Sequence, residues 1–278
     1  MKKRMHSGQE MEIPVLGMGT WNMGDVPAKR AEEIRALRRG IELGMNIIDT
    51  AELYGDGRSE TLVGEAIREI REKVFLISKV LPSHAHKQGT IKACENSLKR
   101  LGTDYLDLYL LHWQGPYPFE ETVEAMLELQ KSGKINSWGV SNMDVAEMEA
   151  FFRISGGSTC AANEILYNLT RRGAEFDLLP WCRQKQVAVI AYSPIEQGRL
   201  LNHPILSEIS RRHEATPAQI ALAWVLRQPH VIAIPKAGTV KHIEENFKSL
   251  SLRLTPEDLN KLDSAFPGPT RKQELEMI

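Results

Sequence analysis

The chain has 278 residues, of which 26% are charged and 42% hydrophobic, and its formal net charge is -1. This balance excludes a strongly basic nucleic-acid binder and a disordered acidic tail, so we expect a small-molecule partner and no nucleic acid. No apolar signal core precedes Gly17 and no 18 apolar residues run uninterrupted, which argues against secretion and membrane insertion. The cysteines Cys94, Cys160 and Cys182 are odd in number and lack metal-ligand spacing, which favours a reducing, cytoplasmic location.

Short apolar runs alternate along the chain with longer amphipathic stretches. The stretches repeat apolar residues at helical spacing, as Ile34, Leu37 and Ile41 do, and Thr216 and Thr255 each precede a proline in the way that helix starts do. The alternation therefore predicts eight strands, each followed by a helix. The predicted strands begin at Val15, Asn46, Val74, Leu106, Ile135, Cys160, Val187 and Val231.

Eight such units predict an α/β fold, a (β/α)8 TIM barrel, in a single domain over residues 1–278. The segment from Arg4 to Ile13, with Ser7 and Gly8 as turn residues, predicts an N-terminal β-hairpin that covers the bottom of the barrel. Active sites of such barrels lie at the C-terminal ends of the strands. No extra partner-binding segment is visible, so we expect a monomer.

Four proton-handling residues lie at or just after predicted strand ends: Asp49, Tyr54, Lys79 and His112. A tyrosine is a poor acid near neutrality, since its ordinary pKa is about 10. A nearby Lys79 ammonium favours the phenolate and so lowers that pKa, and Asp49 keeps Lys79 charged through a charge-assisted hydrogen bond. His112 can orient a substrate oxygen or share the proton. Each residue alone also has a structural interpretation, as a cap, a packing residue, a solvated strand end or a core histidine, but together they suit protonation of an oxygen.

Seven motifs then follow one another in a recognisable order: GMGTW from Gly17, IDTAELYG from Ile48, Lys79 after a strand, LHW from Leu111, GVSN from Gly139, AYSP from Ala191 and IPKAGTVKHIEENF from Ile234. With these motifs the chain resembles the aldo-keto reductase superfamily over nearly its whole length, and its bacterial branch most of all. The resemblance implies a (β/α)8 barrel that reduces aldehydes or ketones with NADPH. It also implies that Tyr54 is the general acid and that Asp49, Lys79 and His112 support it.

A hydride donor is required because no side chain supplies one, and the glycines after Gly17 lack the βαβ context of a Rossmann fingerprint. The resemblance implies that NADP(H) instead lies extended across the barrel mouth. Tyr192 would stack on the nicotinamide, Ser141 and Asn142 would bind its carboxamide, and Lys236 would meet the 2'-phosphate. The complete implied set is Gly19, Thr20, Trp21, Asp49, Ser141, Asn142, Glu164, Tyr192, Ser193, Pro194, Ile195, Gln197, Leu200, Ile234, Lys236, Ala237, Gly238, Thr239, His242, Glu245 and Asn246.

Two positions depart from the pattern of the superfamily. Glu164 stands where a glutamine usually bonds the nicotinamide carboxamide, and an ionised glutamate can accept from the amide nitrogen but cannot donate to its oxygen. We expect weaker or pH-dependent binding of the reduced cofactor. His242 stands where an arginine usually grips the 2'-phosphate, so we expect NADP(H) with possible use of NAD(H). The alternative for His242 is a side chain that merely faces solvent.

The resemblance also implies the substrate site, which Trp21, Tyr54, His112 and Trp113 would line. Only a short polar tail follows the last predicted helix, so we expect an open pocket for small aldehydes, with 2-oxoaldehydes such as methylglyoxal as a plausible class. Two other functions stay open at this point. One is a non-catalytic cofactor-sensing or structural barrel protein, and the other is a hydrolase or lyase that uses Asp49 and His112 directly, with or without a metal.

Overall fold

The structure, a computed structural model, describes residues 2–6 and 10–278, with side chains described from residue 14 onward. The strands are β1 Lys2–His6, β2 Glu10–Pro14, β3 Met18–Gly19, β4 Ile47–Asp49, β5 Phe75–Val80, β6 Leu106–Leu111, β7 Ile135–Ser141, β8 Ala162–Leu166, β9 Ala188–Tyr192 and β10 Val231–Ala233. The helices are α1 Arg30–Leu43, α2 Arg58–Ile67, α3 Lys87–Leu101, α4 Phe119–Lys131, α5 Val145–Arg153, α6 Leu178–Lys185, α7 Pro204–Arg212, α8 Pro217–Leu226, α9 Val240–Lys248 and α10 Pro256–Ala265.

Strands β3 to β10 form one parallel sheet in which each strand pairs with the next one in the chain. The two ends of the sheet meet, since Gly17 N donates to Ala233 O over 2.8 Å and Ala233 N donates to Val15 O over 2.9 Å. Isolated parallel bridges at Leu16 and Gly19 continue this seam. The predicted (β/α)8 barrel is therefore confirmed, with all eight predicted strands in place.

Strands β1 and β2 pair antiparallel ahead of the barrel, with Lys2 opposite Pro14. The turn residues Ser7 and Gly8 lie outside the described residues. The complete N-terminal hairpin and its cover of the barrel bottom therefore stay predictions.

Apolar side chains fill the barrel and also separate it from the surrounding helices. Because successive residues of a strand point to opposite faces, Ile77 of β5 lies inside the barrel and its neighbour Leu76 lies outside. The outer layer packs against the apolar stripes of the helices, as at Leu37 and Leu62. The inner cluster consists of Ile47, Phe75, Ile77, Leu108, Leu110, Ala161, Ala162, Ala188, Ile190, Ile232 and Ile234.

The helix starts predicted at the two Thr-Pro pairs are confirmed. The Thr216 hydroxyl accepts from Gln219 N at the start of α8, and the Thr255 hydroxyl accepts from Asp258 N at the start of α10. In each case the third helical residue bonds back to the threonine backbone, so both caps are reciprocal capping boxes. Along the described part of the chain, no helix has the length and apolar character needed to cross a membrane.

Candidate active site

The alternation of side chains along the strands explains why the candidate residues meet. Asp49 comes two residues after the inward-facing Ile47, and Lys79 comes two residues after the inward-facing Ile77. His112 and Glu164 follow inward-facing Leu110 and Ala162 by the same spacing. These polar side chains therefore continue the interior face of the barrel at the C-terminal ends of its strands, where the apolar filling ends.

The ammonium of Lys79 is the centre of the site. Its Nζ lies 2.6 Å from Asp49 Oδ1, 3.1 Å from the backbone oxygen of Thr50 and 3.2 Å from the hydroxyl oxygen of Tyr54. Lys79 and Asp49 are buried, whereas Tyr54 is half-buried in the loop that follows β4. The structure thus brings together the predicted carboxylate, ammonium and phenol in one hydrogen-bonded chain.

The charges of this chain are set by burial and by its neighbours. Burial alone disfavours the charged form of Lys79, but Asp49 and Glu164 raise the pKa of Lys79 above its ordinary value, so this residue is a cation. Burial raises the pKa of Tyr54, and the Lys79 ammonium acts in the opposite direction. The predicted net lowering of the Tyr54 pKa is therefore wrong in this structure, because burial outweighs the ammonium.

His112 lies beside the phenol, with its ring 5.8 Å from the Tyr54 ring in an edge-on arrangement. Burial, with a further contribution from Lys79, lowers the pKa of His112 to about 2, so the imidazole is neutral. Its Nδ1 is buried and has no hydrogen-bond partner within the described part of the chain. A neutral imidazole can orient an oxygen, but it does not bring a proton as an imidazolium does.

Glu164, on β8, is a further member of this group. Its Oε1 lies 3.3 Å from Lys79 Nζ, and its Oε2 has no partner among the described residues. Burial and the neighbouring Asp49 raise the pKa of Glu164 well above its ordinary value, while Lys79 acts in the opposite direction. This direction favours the protonated carboxyl, which can both donate and accept hydrogen bonds.

A second polar chain crosses the adjacent strand ends. Asn142 Nδ2 donates to His112 O over 3.1 Å, and the Tyr192 hydroxyl donates to Asn142 Oδ1 over 2.9 Å. The Ser141 hydroxyl donates to Glu164 O over 2.9 Å. Asn142 has a φ of 58°, a conformation that asparagine tolerates better than most residues. These bonds fix the three side chains that were assigned to the nicotinamide ring.

A cavity of about 700 Å³ opens above this group. Predicted residues that line it are Gly19, Thr20, Trp21, Asp49, Tyr54, His112, Trp113, Ser141, Asn142, Glu164, Tyr192, Ser193, Pro194, Ile195, Gln197, Ile234 and Lys236. Trp21 and Trp113 are part of its wall, which favours the pocket interpretation of Trp113 over ordinary barrel packing.

Other predicted cofactor residues lie outside this cavity: Leu200, Ala237, Gly238, Thr239, His242, Glu245 and Asn246. Most of them surround the start of α9, where the Thr239 hydroxyl accepts from His242 N over 3.3 Å. His242 is exposed on the first turn of that helix, and Lys236 is exposed just before it. The free backbone N–H groups at the start of a helix favour the binding of an anion. The exposed ammonium of Lys236 favours it as well.

Sequence reasoning missed five residues that line the cavity: Asn22, Leu53, Pro235, Met277 and Ile278. Leu53 and Pro235 are chain neighbours of predicted residues and could have been found by that adjacency. Met277 and Ile278 could not, because nothing in the polar tail marks its return to the barrel mouth. The short tail therefore contributes to the wall of the cavity, and the expectation of an open pocket for small aldehydes stays a prediction.

The loop over one side of the cavity is held in an unusual backbone conformation. Ser193, Glu196 and Gln197 have φ values of 46°, 49° and 54°, in the left-handed region that non-glycine residues rarely adopt. The buried Glu196 carboxylate anchors the loop, because it accepts from Asn168 Nδ2 over 2.7 Å and pairs with Arg171 over 3.2 Å. The loop therefore stands over the cavity as a fixed element of its rim.

Comparison with known proteins agrees with this geometry. The model of the aldo/keto reductase family matches residues 15–266. The chain belongs to the aldo/keto reductase family. It is 50% identical over 282 residues to the methylglyoxal reductase YeaE of Escherichia coli, covering 100% of this chain and 99% of that protein. It is 33% identical to a glyoxal reductase of Bacillus subtilis, covering 94% of this chain and 91% of the relative.

A solved structure of this family has the same fold. The aldo/keto reductase of Klebsiella pneumoniae, crystallised with NADP and acetate, superposes with a TM-score of 0.97 at 48% identity, with 100% of each chain covered. The agreement extends over the whole barrel. The family and the fold that the motifs implied are thus confirmed.

Proposed function

We propose that this chain reduces small aldehydes or ketones to alcohols with NADPH, and that 2-oxoaldehydes such as methylglyoxal are among its substrates. The observation that carries the proposal is the Lys79 ammonium, bonded to both Asp49 and the Tyr54 hydroxyl beneath an open cavity. Names of relatives that reduce methylglyoxal and glyoxal support the substrate class. We further propose a cytoplasmic, single-domain monomer over residues 1–278, for which the three free cysteines are suited to a reducing compartment.

The residues present fit a nicotinamide cofactor. The partnerless Glu164 Oε2 and the Asn142 side chain offer hydrogen bonds to a carboxamide, and the half-buried Tyr192 ring offers a stacking surface. Exposed Lys236 and the start of α9 suit the 2'-phosphate. When bound, NADPH supplies the hydride that no side chain can provide.

The chain's own residues carry out the proton transfer. The Tyr54 hydroxyl donates its proton to the substrate oxygen as negative charge develops there. The Lys79 ammonium, 3.2 Å away, stabilises the resulting phenolate, and Asp49 keeps that ammonium in place. Neutral His112 orients the substrate oxygen toward Tyr54. In this assignment the catalytic residues are Asp49, Tyr54, Lys79 and His112.

The cavity wall sets the type of carbonyl compound that fits. Trp21 and Leu53 are large apolar side chains that remain 46% and 41% exposed at the mouth, and Trp113 is half-buried beside His112. The polar floor is formed by the side chains of Asp49, Tyr54, His112 and Glu164. A small carbonyl compound thus binds with its oxygen toward the floor and its apolar part against these flat walls.

The two alternatives fit the geometry less well. A sensing or structural barrel has no need of a buried ammonium aligned on a phenol, which costs desolvation energy. A hydrolase or lyase with a metal needs carboxylates free to bind a cation. Here the closest carboxyls, those of Asp49 and Glu164, already flank the Lys79 ammonium.

A spectrophotometric assay of NADPH oxidation with a panel of small aldehydes tests the proposal. We expect turnover with methylglyoxal and related 2-oxoaldehydes, unchanged after treatment with EDTA. Absence of oxidation with every carbonyl compound, while NADPH still binds, would support the sensing alternative. Activity that EDTA removes, or carbonyl conversion without NADPH oxidation, would support the metal-dependent alternative.

A further inference from the structure

Two buried carboxyl groups face a single cation in the floor of the cavity. Lys79 Nζ lies 2.6 Å from Asp49 Oδ1 and 3.3 Å from Glu164 Oε1, and all three side chains are at most 3% exposed. An ammonium has three hydrogens. The contacts to Asp49, the Thr50 oxygen and the Tyr54 hydroxyl can use all three, and the 3.3 Å contact to Glu164 is the longest of the four.

Within residues 14–278, whose side chains are described, the surroundings of Glu164 offer no second positive charge. The titratable groups that face it are Asp49 on β4, Tyr54 in the loop after β4, Lys79 on β5 and Tyr192 on β9. Among these only Lys79 is cationic, and Asp49 already neutralises it. An ionised Glu164 would therefore be an uncompensated buried charge, which costs several kcal/mol.

The second carboxyl oxygen of Glu164, Oε2, also favours the neutral state of this residue. Oε2 is buried and has no hydrogen-bond partner among the described side chains or backbone groups, and Glu164 is one of the residues that line the cavity. A carboxylate oxygen in such a place is costly, while a neutral acid tolerates it better and can bond a ligand as donor or acceptor.

We propose that Glu164 works as a neutral carboxylic acid that leaves the Lys79 ammonium to Asp49 and Tyr54, and that loss of its proton stops the reduction. This inference rests on the proposed function. Ionised Glu164 would attract the ammonium, 3.3 Å away, in competition with the Tyr54 hydroxyl, 3.2 Å away. It would also disfavour the phenolate that forms when Tyr54 gives up its proton. Glu164 is thus a positioning residue that acts through Lys79.

Infrared difference spectroscopy tests the protonation state without cofactor or substrate. We expect the wild-type protein at neutral pH to show a carboxylic-acid carbonyl band that Glu164→Gln removes. Glu196→Gln is the matched control, because the buried Glu196 carboxylate pairs with Arg171 and Arg199 and has a lowered pKa. That control should leave the band unchanged. A wild-type spectrum without a band assignable to Glu164 overturns the proposal.

The pH dependence of kcat tests the role. Glutamine keeps the shape of a neutral glutamic acid but cannot ionise. Whatever the kcat of Glu164→Gln at pH 6.5, we expect an alkaline decline of about tenfold per pH unit in the wild type alone, once Glu164 ionises. Profiles of the two proteins that have the same shape at all pH values overturn the role, whether or not they decline.

These outcomes separate the inference from the function on which it rests. If the wild type oxidises no NADPH with any carbonyl compound, the proposed function fails, while the infrared band still reports the proton on Glu164. If reduction proceeds and the profiles coincide, only the inference fails. A merely structural role of Glu164 would lower kcat of the variant by the same factor at every pH, and such parallel profiles also contradict the inference.

Discussion

The hydroxyl oxygen of Tyr54 lies 3.2 Å from Lys79 Nζ, although burial raises the pKa of the phenol. The ammonium therefore does not produce a resting phenolate. The ammonium instead stabilises the transition state, in which the phenol gives up its proton and a negative charge appears beside a fixed cation. The residue stays a proton donor until a substrate oxygen needs the proton.

This relationship predicts the result of replacing Tyr54 by phenylalanine. Tyr54→Phe should lower kcat by about 10²- to 10⁴-fold, because the proton donor is lost while the cavity keeps its shape. Cofactor affinity, measured by fluorescence titration, should be unchanged. The matched control is Tyr109→Phe, which removes a buried hydroxyl that has no hydrogen-bond partner among the described residues and lies outside the cavity. Turnover by Tyr54→Phe at the rate of the control would contradict the assignment.

The pairing of Asp49 with Lys79 predicts that Glu164 changes its protonation state in the Asp49→Asn variant. Removing the nearer carboxylate leaves Glu164 as the remaining carboxyl partner of the ammonium, at 3.3 Å. Glu164 should then ionise, and its carboxylic-acid infrared band should disappear from Asp49→Asn at neutral pH. Persistence of the band at its wild-type intensity would show that the two carboxyls do not compete for Lys79.

The raised pKa of Glu164 predicts how stability changes with pH. The unfolded value is about 4.3, so the folded chain binds this proton more tightly than the unfolded chain. The stabilisation is complete below that pH and is lost as the pH rises through the folded pKa. Relative to Glu164→Gln, the wild type should lose at most about 1.36 kcal/mol per pH unit over that range. Urea unfolding of both proteins at pH 5, 7 and 9 measures the difference, and a constant difference would refute the prediction.

The exposed His242 at the start of α9 predicts a weak preference for NADPH over NADH. An imidazole lacks the permanent charge and the bidentate fork of arginine. His242→Arg should therefore raise the ratio of kcat/KM for NADPH to that for NADH about tenfold, which corresponds to 1.4 kcal/mol. Lys248→Ala, exposed at the other end of α9, should leave the ratio unchanged. An equal ratio in the wild type and His242→Arg would contradict a role for His242.

The return of the tail to the cavity predicts an effect on substrate range. Met277 lines the cavity and is 55% exposed, so its side chain is available to an apolar substrate. Met277→Ala should raise KM for bulky apolar aldehydes by about fourfold per lost methylene contact. The KM for methylglyoxal should change little. Phe176→Ala, a similarly exposed apolar residue outside the cavity, is the control. Equal effects on small and bulky aldehydes would argue against this contact.

Those parts of the site that follow from local rules could be predicted from the sequence. Alternation along a strand places Asp49 and Lys79 on the interior face, and a Thr-Pro pair starts a helix regardless of what surrounds it. The sharing of Lys79 between Asp49 and Glu164 depends on three strands that meet only in the closed barrel. The Tyr54 pKa depends on the depth of burial, which no motif encodes. The contact of Met277 with the cavity depends on the path of a tail without a periodic pattern.

The apolar filling of the barrel has a further consequence for the buried acid–base group. Beneath Asp49, Lys79 and Glu164 lie the aliphatic and aromatic side chains of the inner cluster, among them Ile77 and Ile190. Among the described side chains this lower layer is apolar, so we expect protons to exchange with the solvent chiefly through the mouth. A ligand that covers the mouth should then slow this exchange. We therefore expect the buried group to equilibrate with the pH of the medium more slowly in the cofactor-bound protein than in the free protein.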